Sequence, residues 1–377
     1  MEEAPQHKPI ESLTELPKDD IAVLLRSGID PQEKERAGSF FQMDHSVTHC
    51  RVDFEGAEIM STPQALKKYD GLVDYWWRAL SPDKDEYTKR AELHQESGYY
   101  IRALAGANVT YPLQACLYIT VEGLAQDVHN VIIAEEGSNL HVITGCATGP
   151  KVKSGLHVGV SEFYVKKGAT LIFTMIHNWS EQMKVRPRTA VIVEEGGKYI
   201  SNYICLLPAK DLQAYPQATL IGENAVATFN SVLLAKPGSL MDLGSRVILK
   251  AKGTKAEIIS RTVSTGGTII ARGHLVGEAP DIKAHLECKG LILSDAGRIH
   301  AIPELEAKIS GVDMSHEAAV GKIARDEIEY LMARGLSEKE AVSLIIKGFL
   351  SLEIEGLPFA LKLELDKLID EVDKGAF

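Results

Sequence analysis

Short β-branched runs in this chain end again and again in a turn built on glycine, which limits its possible folds more than any other feature. The runs are VIIAEEGSN (131–139), FYVKKGAT (163–170), VIVEEGGK (191–198), VLLAKPGS (232–239) and VILKAKGT (247–254). Gly106, Gly137, Gly168 and Gly197 recur at intervals of about thirty residues, and the spacing tightens through Gly222, Gly238, Gly253 and Gly266. Each unit reads as a strand, a polar pair, a glycine that permits the turn, and another strand. Equivalent turns at near-constant spacing predict stacked coils, each burying its apolar face against the next. A β-sandwich, a stacked cupin-like barrel and a parallel β-helix all satisfy the pattern.

The strand zone covers 97–312, between a helical region at 1–96 and another at 313–377. In the first, Ile10–Leu25 is amphipathic, Thr62-Pro63 opens a helix as N-cap and N1, and Lys84–Gln95 is charged and helical or linker. From His316 onward the chain is expected to be helical again. Ile328, Leu331 and Met332 recur at helical spacing before Gly335, a C′ stop after Arg334. Ser337 and Glu340 form a capping box for the next helix, whose apolar stripe is Ala341, Leu344, Ile345 and Phe349. A last helix is expected over Phe359–Val372, with Leu361, Leu365, Leu368 and Val372 on one face.

Charge and composition exclude several functions. A net charge of −11 leaves no basic excess to neutralise phosphates, which argues against a nucleic-acid partner. No apolar run reaches the length of a membrane span, and the acidic start MEEAPQHKPIESL is not a signal peptide, so a cytoplasmic protein is expected. The 5 cysteines (Cys50, Cys116, Cys146, Cys205, Cys288) are scattered without C-x-x-C spacing, unlike a zinc ribbon or a disulfide framework. Gly321-Lys322-Ile323 lacks the upstream glycine and the hydroxyl residue of a nucleotide-binding loop, so the chain is expected to bind no ATP. Asp44–Cys50 holds two histidines and a cysteine, but such a group is more often a polar turn beside a strand than a metal site. Trp76-Trp77 and Trp179 read as packing aromatics.

The run His316–Ile323, followed by Glu327, Tyr330, Arg334-Gly335 and Ala341, closely resembles the C-terminal signature of the SufB/SufD family, scaffold subunits of the SUF iron–sulfur cluster assembly system. The likeness extends through Ser39–Ser46, Tyr111–Ala115, Ala134–Ser138, Thr144-Gly145-Cys146, Asn178-Trp179-Ser180, Val193–Gly196 and Lys255–Ser260, leaning towards the SufB branch. It implies a right-handed parallel β-helix core. It also implies a scaffold rather than a turnover enzyme, paired with itself or a SufD-like chain. A SufC-like ABC ATPase would sit on the C-terminal helices, with Asp326, Glu327, Tyr330, Arg334, Glu338 and Glu340 as the docking surface. A solvated helix face would have the same charge pattern.

The resemblance also assigns chemistry. Cys146 matches the cysteine associated with taking up or relaying sulfur from a donor protein, although a cysteine on a β-rung ordinarily behaves as a small hydrophobe. Cys288, His300, His316 and Glu317 are the implied ligands of a transient iron–sulfur cluster, and thiolate, imidazole and carboxylate all suit iron. His316 could equally start a helix with its ring bonded to backbone. The chain departs from the family at Gly297, where a cysteine is usual, at Arg325, where an acid follows the Lys-Ile pair, and at Met314, where SufD-like chains carry cysteine. Two other classes fit less well. A β-helix carbohydrate-active enzyme needs paired acids on successive rungs, and a cupin-type metal enzyme would have to use the irregularly spaced His141, His157 and His177.

Overall fold

The computed structural model describes residues 5–94, 97–207 and 209–350. The expected helix over Phe359–Val372 lies outside them. The repeated glycine units form a parallel β-solenoid of about eight turns, with helices towards both ends of the described chain. Successive strands alternate between two walls. The first sheet runs through Gly38–Met43, Leu113–Ile119, Asn139–Thr148, Thr170–Asn178, Lys198–Leu207, Val226–Ala235, Lys255–Ser264, Ile282–Ile292 and Val312–Gly321. The second stacks Tyr99–Ala103, Ala125–Ala134, Ser154–Val165, Gln182–Val193, the pair Asp211–Ala214 and Gln217–Leu220, Leu240–Leu249, Thr268–Gly277 and Arg298–Ala307.

The turns explain the repeat. Gly106, Gly137, Gly168, Gly196, Asn224, Gly253, Asp281 and Gly311 all have positive φ and recur about every thirty residues, forming one corner of the coil. Gly106, Gly137, Gly168, Gly196 and Asn224 each donate a backbone N–H to the next turn up. The sequence points to Gly197 and Gly222 in this column, but the left-handed residues are Gly196 and Asn224. Gly222 is instead required by crowding, because a Cβ there would lie 1.9 Å from the Glu195 nitrogen.

Because side chains alternate along a strand, each rung sends one set inward and one outward. The inward set fills the lumen with residues such as Leu117, Val142, Phe163, Phe173, Tyr199, Phe229, Val247 and Leu286. The outward set is covered by the flanking regions. Helix Lys18–Arg26 lies over Phe41, Cys116 and Tyr118, while Trp76, Leu80 and Ala91 lie on the second sheet. Helices Arg325–Met332 and Glu338–Leu350 cover Ile176, Ile204, Val232 and Val263 through Ile328, Ala341, Val342 and Ile346.

The flanks depart from expectation in specific ways. The N-terminal region carries three strands, Gly38–Met43, Ser46–Val52 and Ala57–Ser61, which add to the ends of the two sheets. Its middle helix is capped by Ser61 rather than Thr62 and stops at Lys68. At the other end the strand Val312–Gly321 delays the helices to Arg325, so His316 stands in mid-strand. The Gly335 stop and the Ser337/Glu340 capping box form as the sequence predicts.

Gly168→Ala should lower stability by about 1 kcal/mol, because left-handed backbone disfavours a Cβ while the added methyl meets open space. Asn224→Gly at the equivalent corner should cost only a few tenths of that. Urea unfolding midpoints of the two variants check both.

Candidate functional site

The inward alternation of the first sheet places a line of polar side chains inside an otherwise apolar lumen. Cys146 is 1% exposed, and its in-register neighbour on the next strand is His177. The His177 Nδ1 lies 2.8 Å from the Tyr203 hydroxyl, whereas its Nε2 is buried with no partner. Tyr203 is in register with Ser231, Ser231 with Ser260, and Ser260 with Cys288, so hydroxyls join the two thiol positions along the wall. A cavity of about 60 Å³ opens beside Tyr203, Ser231 and Ser260, bounded across the lumen by Pro187, Pro216 and Gly244. That exceeds the space one water needs.

Burial governs the titration of these groups. Desolvation pushes the Cys146 thiol up to about 12 and Cys288 up to about 11, the latter helped by neighbouring Glu287. Both are therefore protonated in this conformation, and neither is an activated nucleophile as it stands. His157, bonded through Nδ1 to Gln126 Oε1 at 3.0 Å, is driven down to about 3 by burial. His177 is lowered well below its ordinary value by the same cause, with a further push from His157.

The four implied cluster ligands do not converge. His316 is in register with core residue Leu286, two positions from the inward-facing Cys288, so these two share the lumen face at the last rungs. Glu317 is on the opposite face, where Lys289 holds it at 3.2 Å and also bridges to Glu287 at 2.9 Å. His300 pairs with Ile270, whose flanking residues Ile269 and Ala271 face the core, so His300 points outward from the second sheet. Strand alternation separates what lies close in sequence. A Cβ at Gly297 would lie 2.6 Å from Ser264 Oγ, so a larger residue there requires the Ser264 side chain to shift.

Among the described residues no three His, Cys, Asp or Glu side chains gather as a metal set. In the Asp44–Cys50 segment, Asp44 accepts hydrogen bonds from the Thr120 backbone N–H and hydroxyl at 2.7 and 2.6 Å, and His49 pairs with Glu33 at 2.8 Å. Trp76 stacks on the buried His129 at 3.7 Å, where Glu162 accepts backbone N–H groups from Trp77 to Leu80. The proposed docking residues lie on the outer surface of the two C-terminal helices. Tyr330 is 58% exposed under the Arg334 guanidinium, 3.6 Å from its ring centre, and Arg325 ties the helices together through Glu338 while pairing with Glu329 on its own helix.

Tyr203 and Cys205 escape a motif search, since neither lies in a recognisable signature. The visible signal is periodic: Tyr199, Ser201, Tyr203 and Cys205 alternate as an inward row, one rung after His177.

The described residues thus form a parallel β-solenoid with thiols sealed inside its lumen. Residues 117–349 match the SufBD core domain of the SUF system for FeS cluster assembly. The chain is 50% identical over 379 residues to an "Iron-sulfur cluster assembly SufBD family protein" of Methanothermobacter thermautotrophicus, covering 99% of this chain and 92% of that one. A protein of the same description from Archaeoglobus fulgidus is 52% identical over 348 residues, covering 92% of this chain and 93% of the other. A Staphylococcus aureus relative is 30% identical over 378 residues, covering 97% and 80%. The chain belongs to the SufBD family of iron–sulfur cluster assembly proteins.

The buried histidines set the acid behaviour. As pH falls, an unfolded His157 takes up a proton near 6.5, while the folded one resists until about 3. The unfolded state therefore binds more protons across that window, so this stabilisation is complete above pH 6.5 and is lost progressively below it. His157→Gln should flatten the decline of the urea midpoint between about pH 6.5 and 4.5. An unchanged slope would place the proton uptake on other groups.

Proposed function

We propose that this chain is a scaffold on which iron–sulfur clusters are built, working with a SufC-like ABC ATPase and pairing with itself or a SufD-like chain. The observation that carries this reading is the asymmetry of the solenoid's two ends. At one end the antiparallel strands Ser46–Val52 and Ala57–Ser61 close the sheets. At the other, Val312–Gly321 and Arg298–Ala307 are terminal strands, with one edge of each unpaired among the described residues. An open parallel edge pairs readily with another chain. His316 is exposed at this end, on the same face as Cys288. A cluster assembled here as cargo would draw on these two side chains and on ligands from the second copy, because iron needs more donors than one lumen face supplies.

Cys146 is the position at which sulfur from a donor protein would be taken up. Its strand and that of Cys288 are five spacings apart, about 24 Å at ~4.8 Å per step, so no ligand can be shared and sulfur has to travel. The hydroxyl-lined lumen is the direct route. Cys146 is buried, so uptake from a donor protein requires the coil or its covering helices to open. ATP-driven movement of a partner held on helices Arg325–Met332 and Glu338–Leu350 would supply that opening, since these helices cover the first sheet alongside the lumen wall.

A mixture with a SufC-like ATPase should elute as a complex whose light-scattering mass exceeds that of either protein. Tyr330→Ala combined with Arg334→Glu should weaken the association at least about tenfold without altering the melting temperature, since both side chains are solvent-exposed. Unaltered binding would remove the ATPase from this face.

A further inference from the structure

The lumen holds a third buried thiol that the relay from Cys146 to Cys288 leaves unused. Cys205 belongs to the inward row of Lys198–Leu207 and is completely buried. Ile204 is in register with Ile176 and Leu207 with Asn178, so Cys205 lies in the irregularity opposite the single residue His177. His177 is in register with Cys146 on its other side. His177 therefore lies on the strand between those of the two thiols, with Nδ1 on the Tyr203 hydroxyl and Nε2 buried and unpartnered. The Cys205 thiol is hydrogen-bonded to the Tyr203 hydroxyl, and its Sγ lies 3.9 Å from the Leu207 carbonyl.

From this column of Cys146, His177 and Cys205 we infer that Cys205 is a second sulfur station, taking the sulfane sulfur from Cys146 with His177 carrying the proton. The inference rests on the sulfur-uptake reading of Cys146. The step is a thiol–persulfide exchange: the Cys205 sulfur attacks the outer sulfur of a Cys146 persulfide, the bond from Cys146 Sγ to that sulfur breaks, and Cys205 becomes the persulfide. The proton of the Cys205 thiol passes to the free Nε2 of His177 and on to the departing Cys146 thiolate. No oxidant or reductant is consumed.

Distance favours the intermediate stop. Two strand spacings, ~10 Å, separate Cys146 from Cys205, against about 24 Å from Cys146 to Cys288. Between the strands of Cys205 and Cys288 lies the cavity lined by Tyr203, Ser231 and Ser260, and Ser260 is in register with Cys288. The other buried thiol, Cys116, cannot serve, because it packs outward with Phe41 and Tyr118 under the N-terminal helix.

The test loads the full chain anaerobically with sodium polysulfide, alkylates it at timed intervals, and maps persulfide on each cysteine by mass spectrometry. Wild type should show label on Cys146 first and on Cys205 after it. Cys146→Ser should reduce Cys205 label at least tenfold, whereas Cys205→Ala should leave Cys146 label in place and reduce that on Cys288. His177→Gln should slow transfer to Cys205 without lowering Cys146 loading, and should alter its pH profile. Melting temperatures establish that each variant is folded. Cys205 that stays unlabelled while Cys146 loads would overturn the inference and leave the uptake role of Cys146 standing. Equal Cys205 label in Cys146→Ser would also overturn it. Absence of label on Cys146 itself would remove the uptake reading, and the inference with it.

Discussion

In-register stacking of parallel rungs is the constraint on which the rest of this structure depends. A single coil cannot bury its own inward face; it becomes stable only with a neighbour above and below. Parallel register then places each side chain directly over its counterpart one turn away, so whatever one rung sends inward the next must accept. The same rule that stacks Leu140, Leu171 and Tyr199 also aligns Cys146 with His177, and Ser260 with Cys288. A polar line through an apolar lumen is thus a consequence of the register, provided that the sequence repeats polar residues at the right interval.

That constraint leaves a coil with two ends and two outer faces to satisfy. The N-terminal region closes one end with antiparallel strands and covers parts of both sheets, with Glu162 fixing the 77–80 segment through its backbone N–H groups. The C-terminal helices cover the first sheet. Among the described residues the last rungs have free edges, and it is there that His316 emerges on the face of Cys288. The proposed scaffold role rests on this division: a sealed interior holding thiols that burial keeps protonated, and one end whose edges, unpaired among the described residues, would accept a second chain.

Much of this was legible in the sequence, and the failures have physical reasons. The glycine repeat predicted stacked coils, and the resemblance to the SufB/SufD family selected the solenoid among the architectures that the repeat allowed. Gly197 and Gly222 were credited with turns that Gly196 and Asn224 make, because asparagine tolerates left-handed backbone and leaves no glycine to see. The sequence predicts helix from His316 onward, whereas Val312–Gly321 is a strand, since Ala318, Ala319 and Gly321 lack β-branching and only pairing with Ile282–Ile292 makes them one. His300 and Glu317 look adjacent to Cys288 and His316 along the chain, yet strand alternation turns them to other faces. Cys205 was invisible as a motif because its significance comes from the rung below it.

Anaerobic reconstitution with ferrous iron and sulfide, read as iron per chain alongside light-scattering mass, tests the account most directly. The account predicts a dimer that acquires iron and acid-labile sulfide with the visible absorption of a cluster, and that loses this capacity in both Cys288→Ser and His316→Ala. Cluster formation on a monomer, or a cluster retained at full occupancy in both variants, would contradict it.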